Sequence, residues 1–203
     1  MEDPTTTTMS TYDRIAPVFA ARSAEPGAEF TAMRRRFAET LAAGARLADL
    51  GCGPGRDLVW FREQGFRPVG VDRSAEMVKL AVAAGATAVR GDQRRPPLAQ
   101  GAFDALWSSA ALLHVPDAET GDTLRRWWEL LRPGGALKLS TSVGDGGVWE
   151  DVPYESGLRR WFVHRSPEAL LSLLGAAGFE IREHGVTDGH RTWFSVLAVK
   201  AAG

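Results

Sequence analysis

Ala48-Asp49-Leu50-Gly51-Cys52-Gly53-Pro54-Gly55-Arg56-Asp57 is the stretch that decides the fold of this chain. It follows an apolar run at residues 45–50 and leads into the helix-compatible Leu58-Val59-Trp60-Phe61, so it reads as strand, glycine-rich turn and helix. Glycine is needed in such a turn because a Cβ would block both the tight bend and the approach of a ligand to the backbone. Twenty-one residues beyond Gly51, the apolar Pro68-Val69-Gly70-Val71 ends in Asp72. A carboxylate at that point can accept hydrogen bonds from both hydroxyls of a ribose. Turn and acid together mark a nucleoside site. A dinucleotide site would set Gly-x-Gly-x-x-Gly against a pyrophosphate. Here the glycines fall at Gly51, Gly53 and Gly55, and Asp49 would repel a phosphate while suiting an ammonium.

Outward from this turn, strand signals recur at residues 45–50, 68–72, 87–90, 103–108, 136–141, 179–186 and 192–199. Segments of helical length separate the first five, which argues for a mostly parallel sheet covered by helices on both faces. Only Thr187-Asp188-Gly189-His190 and Arg191 join the last two, too short for a crossover helix, so these strands pair as a hairpin and one runs antiparallel. Residues 1–11 read as a disordered, threonine-rich tail, and residues 12–203 as one domain. Within it, 12–24 form an N-terminal cover. Residues 142–165 form a long aromatic-bearing loop leaving the carboxyl end of a strand, where ligands of open α/β sheets bind, and are expected to act as a lid.

Composition narrows the partners. A net charge of -1 provides no global field for a polyanion, and the basic runs Arg34-Arg35-Arg36 and Arg94-Arg95 read as solvated faces or turns. No nucleic-acid partner is expected. The single cysteine, Cys52, allows no internal disulfide and reads as a small apolar filler, in keeping with a cytoplasmic protein. No stretch approaches the roughly 18 apolar residues of a spanning helix, and the start lacks the apolar core of a signal peptide. Neither a metal site nor a membrane contact is expected, and the chain would act as a monomer or homodimer.

The segments Asp49–Gly55, Val69-Gly70-Val71-Asp72-Arg73-Ser74, Gly91-Asp92, Phe103-Asp104-Ala105-Leu106-Trp107 and Leu130-Leu131-Arg132-Pro133-Gly134-Gly135 resemble, in order and spacing, those of class I S-adenosylmethionine-dependent methyltransferases. The resemblance implies a Rossmann-like seven-stranded sheet in the order 3-2-1-4-5-7-6, strand 7 antiparallel. It also implies S-adenosyl-L-methionine as cofactor and S-adenosyl-L-homocysteine as product.

On that resemblance, Asp49, Gly51, Gly53 and Gly55 meet the methionine end, helped by the positive end of the helix starting near Arg56 and by Arg56 itself. Asp72 holds the ribose, while Arg73 and Met77 lie against the adenine. Asp92 accepts from the adenine amino group, and the backbone of Gln93 donates to the ring. Ser108 lets the fourth strand pass close beneath the cofactor, and Tyr12 closes over the methionine end or assists the chemistry.

For the acceptor, His114 beyond the fourth strand is the candidate base, with a structural role as the competing reading. Trp149, Tyr154, Trp161, His164 and Arg191 are candidate acceptor contacts, with His190, Arg159 and Arg160 beside them. The implied reaction is methyl transfer to an oxygen or nitrogen of a small metabolite, and the tryptophans suit an aromatic one. The alternatives are a non-methylating S-adenosylmethionine-binding protein or cyclase, and a tRNA or protein methyltransferase. The last would call for a basic appendage or an Asn/Asp-Pro-Pro-Tyr/Phe signature, and Ser108-Ser109-Ala110-Ala111 stands there instead.

Overall fold

Residues along the first strand alternate between two apolar clusters, Leu47 joining one and Ala48 and Leu50 the other, so the sheet must be covered on both sides. The computed structural model describes residues 3–189 and 191–202. Its strands are β1 (Arg46–Leu50), β2 (Arg67–Asp72), β3 (Ala88–Arg90), β4 (Phe103–Ser109), β5 (Leu131–Ser142), β6 (Gly146–Asp151), β7 (Arg159–His164), β8 (Phe179–Thr187) and β9 (Trp193–Lys200). Seven of them form one sheet in the order β3-β2-β1-β4-β5-β9-β8. β1 to β5 run parallel, and β9 pairs antiparallel with both β5 and β8. The expected order and the antiparallel last strand are both present.

The helices are α1 (Pro4–Ser23), α2 (Ala28–Glu39), α3 (Arg56–Glu63), α4 (Ala75–Ala83), α5 (Asp117–Leu130) and α6 (Pro167–Ala176). Phe37 of α2 and Phe61 of α3 pack with Leu47 and Trp107 on one face. Leu124 and Trp127 of α5 and Leu170 and Leu174 of α6 pack with Leu106 and Leu139 on the other. Ser74 caps α4 and Ser166 caps α6, each accepting from a backbone N–H three residues on.

Two segments depart from the sequence reading. Residues 4–11, expected as tail, form the first half of α1. Asp3 caps the helix with Pro4 in its first turn, and Thr5, Thr8 and Thr11, three residues apart, bury one polar stripe. That stripe serves the open edge of β7: Thr8 Oγ1 accepts from Trp161 N at 2.8 Å, and Thr11 Oγ1 donates to the Arg159 carbonyl at 2.8 Å. The segment 142–165, expected as a loop, is mostly the hairpin β6–β7, paired antiparallel with Trp149 opposite Trp161. α1 and the hairpin close on each other through Ile15, Val152 and Leu158, flanked by Tyr12, Phe19 and Tyr154.

Candidate active site

The carboxyl ends of β1, β2, β4 and β5, together with α1, α2 and β7, enclose a cavity of about 960 Å³. The side expected to take a nucleoside is built by the turn after β1. Gly51 has φ +85°, and a Cβ there would lie 2.3 Å from that of Ala111, so no other residue fits without movement. Gly55 has φ +85° as well, but it lies off the cavity, where its Cβ would meet Ala81 of α4 at 2.8 Å. Cys52 is buried beside Leu58 and Ala81, which pushes its thiol far up and makes it an inert filler.

Asp72 is held from both sides. Its Oδ2 accepts from Gly53 N at 2.8 Å and its Oδ1 from Ser74 N at 2.9 Å, leaving further lone pairs toward the cavity. Burial raises its pKa against these two donors. Asp49 lines the same cavity, is 2 % exposed, and accepts no side-chain hydrogen bond among the described residues. Burial, with Asp57 and Asp72 nearby, pushes its carboxyl well above the usual carboxylate range. A buried carboxylate in this state calls for a cation.

The remaining cofactor candidates divide. Arg73 and Met77 line the cavity, with Arg73 donating to Thr5 Oγ1 at 2.8 Å. Burial would raise Asp92, but Arg94 outweighs it with contacts to both carboxylate oxygens, and the group stays below its ordinary range. Gln93 lines the cavity while its amide donates to the Ala111 carbonyl. Arg56 reaches the cavity wall, yet it is bound to Asp57 through Nε and Nη2 and to the Ser23 carbonyl through Nη1. Asp57 also takes Arg34 at 2.7 Å, so Arg34, read above as solvated, is buried. Ser108 is buried and donates to the Leu50 carbonyl, and Ser109 faces the cavity in its place.

His114 and Tyr12, unrelated in the sequence reading, meet across 102 residues. The Trp161 carbonyl lies 2.7 Å from His114 Nδ1, so that nitrogen must carry the proton. In the neutral ring Nε2 is then the acceptor, and the Tyr12 hydroxyl donates to it at 2.9 Å. Arg160 Nη1 donates in turn to the Tyr12 oxygen at 3.4 Å. Burial pushes His114 down to about 4, with Arg160 adding to the effect against the Trp161 carbonyl, so the ring is neutral at pH 7. Both of its nitrogens are occupied.

Of the acceptor candidates, Arg191 lines the cavity; Trp149, Tyr154, Trp161 and His164 do not. Successive strand residues point to opposite faces, and on β7 it is Arg160 and Phe162 that face inward. Trp161 instead meets Trp149 edge to face at 5.3 Å. Tyr154 lies under Arg22, and His164 is taken by Ser142 and Glu150. Arg159 covers Trp149, and His190 falls outside the described residues. A polar floor went unread in the sequence: Ser109, Ser140 and Ser195 sit in register on β4, β5 and β9, all lining the cavity, with the first two hydroxyls 3.2 Å apart. Among the described residues no three candidate ligands gather for a metal, and no helix is long and apolar enough to cross a membrane.

Residues 47–135 match the methyltransferase domain family. The chain is 32 % identical over 153 residues to the malonyl-[acyl-carrier protein] O-methyltransferase of Enterobacter lignolyticus, covering 69 % of this chain and 60 % of that one. It is 34 % identical over 174 residues to the trans-aconitate 2-methyltransferase of Streptomyces avermitilis, covering 71 % and 63 %. The chain thus spans less than two thirds of the length of these curated relatives. In fold it is similar to the 1,6-didemethyltoxoflavin-N1-methyltransferase of Burkholderia thailandensis, solved with bound 1,6-didemethyltoxoflavin and S-adenosylhomocysteine, at a TM-score of 0.75, 23 % identity, and coverage of 99 % and 92 %. In sheet order, motif order and these matches the chain is similar to methyltransferases of the class I S-adenosylmethionine-dependent type.

Proposed function

We propose that this chain transfers the methyl group of S-adenosylmethionine to an oxygen of a small metabolite. The observation that carries the reading is the cavity itself. At about 960 Å³ it stands at the upper end of the roughly 300–1,000 Å³ of small-molecule sites, with Asp49, Gly51 and Asp72 on one part of its wall and the serine floor on another. The malonyl-[acyl-carrier protein] O-methyltransferase among the relatives supports an oxygen as the atom modified.

The residues fit the cofactor. Asp72, aligned by the N–H groups of Gly53 and Ser74, has lone pairs for a diol, and the unpartnered Asp49 suits an ammonium. When bound, S-adenosylmethionine supplies a methyl group on a positively charged sulfur. The protein's share of the work is to place the acceptor and exclude water. α1 and the β6–β7 hairpin do the excluding, locked together by the bonds among Tyr12, His114 and Trp161. His114 acts here as a positioning residue, since neither nitrogen is free to take a proton from an acceptor.

Incubation with S-adenosylmethionine labelled in its methyl group, over a panel of hydroxylated, carboxylated and amine-bearing metabolites, tests the reading by mass of product. Label in an oxygen-linked methyl supports it. Binding of the cofactor with no methylated product from any acceptor, or conversion of an acceptor without gain of methyl, counts against it.

A further inference from the structure

Arg160 is a cation without a counter-ion at the cavity wall. It projects from β7 between two aromatic rings, its guanidinium carbon 5.5 Å from the centre of Tyr12 and 5.2 Å from that of Phe162. Its Nε is buried with no hydrogen-bond partner, and its one polar contact is the long bond from Nη1 to the Tyr12 hydroxyl. Among the described residues no carboxylate lies within ion-pair distance of it. Four of the other cavity-lining arginines differ: Arg56 is bound by Asp57, Arg73 and Arg94 share Asp92, and Arg191 is paired with Glu150 through both its Nη atoms, while Arg36, also without an ion pair among the described residues, is exposed and already solvated. Glu150 lies directly across the hairpin from Arg160, but Arg191 and His164 already occupy it. Packing between the two rings and that one long bond hold the Arg160 charge. A partly buried cation held rigid in this way is an anion site, because desolvation has been met without a partner to offset it.

Two further features agree. The serine floor offers Ser109, Ser140 and Ser195 as hydroxyl donors to an oxygen-rich guest. Among the described residues the one histidine on this wall, His114, has both nitrogens engaged, which favours an acceptor whose reacting oxygen is already deprotonated. A carboxylate meets that condition at neutral pH.

Resting on the methyltransferase reading, we propose that the acceptor is a carboxylic acid and that Arg160, steadied by Tyr12 and Phe162, binds a carboxylate of it and sets the specificity of the site. Guanidinium and carboxylate are matched for paired hydrogen bonds, which a neutral amide cannot reproduce.

The test uses the full chain saturated with S-adenosylhomocysteine and titrated calorimetrically with succinate, glutarate, benzoate and phenylacetate, each beside its primary amide. At least one acid should bind, and its amide should bind about tenfold more weakly or worse, as follows from losing hydrogen bonds to a charged group. Arg160→Gln should weaken that acid by a similar factor, Arg160→Lys by less, and both should hold S-adenosylhomocysteine within about twofold of the parent protein. Far-ultraviolet circular dichroism and the thermal midpoint establish that the variants are folded. The proposal is overturned if none of the acids binds a protein that does bind S-adenosylhomocysteine, if amides bind as well as acids, or if Arg160→Gln loses the nucleoside rather than the acid. Failure of the parent protein to bind S-adenosylhomocysteine at all would instead overturn the methyltransferase reading.

Discussion

Asp72 and Arg160 line one cavity, but the chain secures them by different means. Asp72 is held by Gly53 and Ser74, within 19 residues of it and within one β-turn-α-β unit. Arg160 is held by Phe162 beside it and by Tyr12, 148 residues away on α1. The nucleoside side is therefore a local structure that forms once β1 and β2 pair. The hairpin side exists only after the first helix has docked on β7 through Thr8, Thr11 and Tyr12. On the proposed function, the chemistry common to any acceptor would sit in the local unit, and the part that distinguishes one acceptor from another in the long-range one.

The largest effect should come from breaking the local unit. Gly51→Ala puts a Cβ into Ala111 and an L side chain into left-handed backbone, which together cost about 2–5 kcal/mol. Urea unfolding should show that loss, and an unchanged midpoint would mean that the turn yields freely.

Acid should act next, and on the long-range unit. His114 titrates near 6.5 when unfolded and about 4 in place, so the unfolded state binds its proton first as pH falls. The stability this histidine contributes is whole above pH 6.5 and is lost progressively toward pH 4, on the order of 3 kcal/mol over the full window. The cavity acids work in the opposite sense, since Asp49 and Asp72 titrate higher when folded and gain relative stability as pH falls. Comparison with His114→Gln isolates the histidine: the parent should lose stability between pH 6.5 and 4 relative to the variant. Parallel profiles would contradict the buried, neutral ring.

Tyr12→Phe should have the smallest effect. It removes the hydroxyl between Arg160 and His114 Nε2 while keeping the ring, for a loss of about 1 kcal/mol. Hydrogen exchange should quicken in α1 and β7 and stay unchanged in β1 and β2. Equal quickening everywhere would deny that the two units are separable.

What could be read in the sequence follows the same division. The strands and the places of Asp49, Gly51 and Asp72 are legible because each depends on neighbours in sequence: a glycine turn, an acid at a strand end, the alternation of strand and helix; the strand order came only with the family resemblance. Residues 4–11 went unread as helix although Asp3-Pro4 is a start signal and Thr5, Thr8 and Thr11 keep a helical spacing. Thr8 and Thr11 bury their hydroxyls there because β7, some 150 residues distant, supplies partners, and Thr5 because Asp3 and Arg73 do. The aromatics of residues 142–165 drew attention to Trp149 and Trp161, but a hairpin rather than a loop fixes a two-residue alternation, which turned Arg160 and Phe162 inward instead. Once that segment is known to be a strand, the inward pair follows from the sequence. The pairing of Tyr12 with His114 carried no such signal.

The account stands most directly on calorimetric titration of S-adenosylhomocysteine into the parent protein, Asp72→Ala and Arg160→Gln. It predicts one site per chain in the parent, a loss of about 1.5–3 kcal/mol in Asp72→Ala from the missing charged hydrogen bonds, and near-parental affinity in Arg160→Gln. Parental affinity in a folded Asp72→Ala, or no binding by the parent, would contradict it.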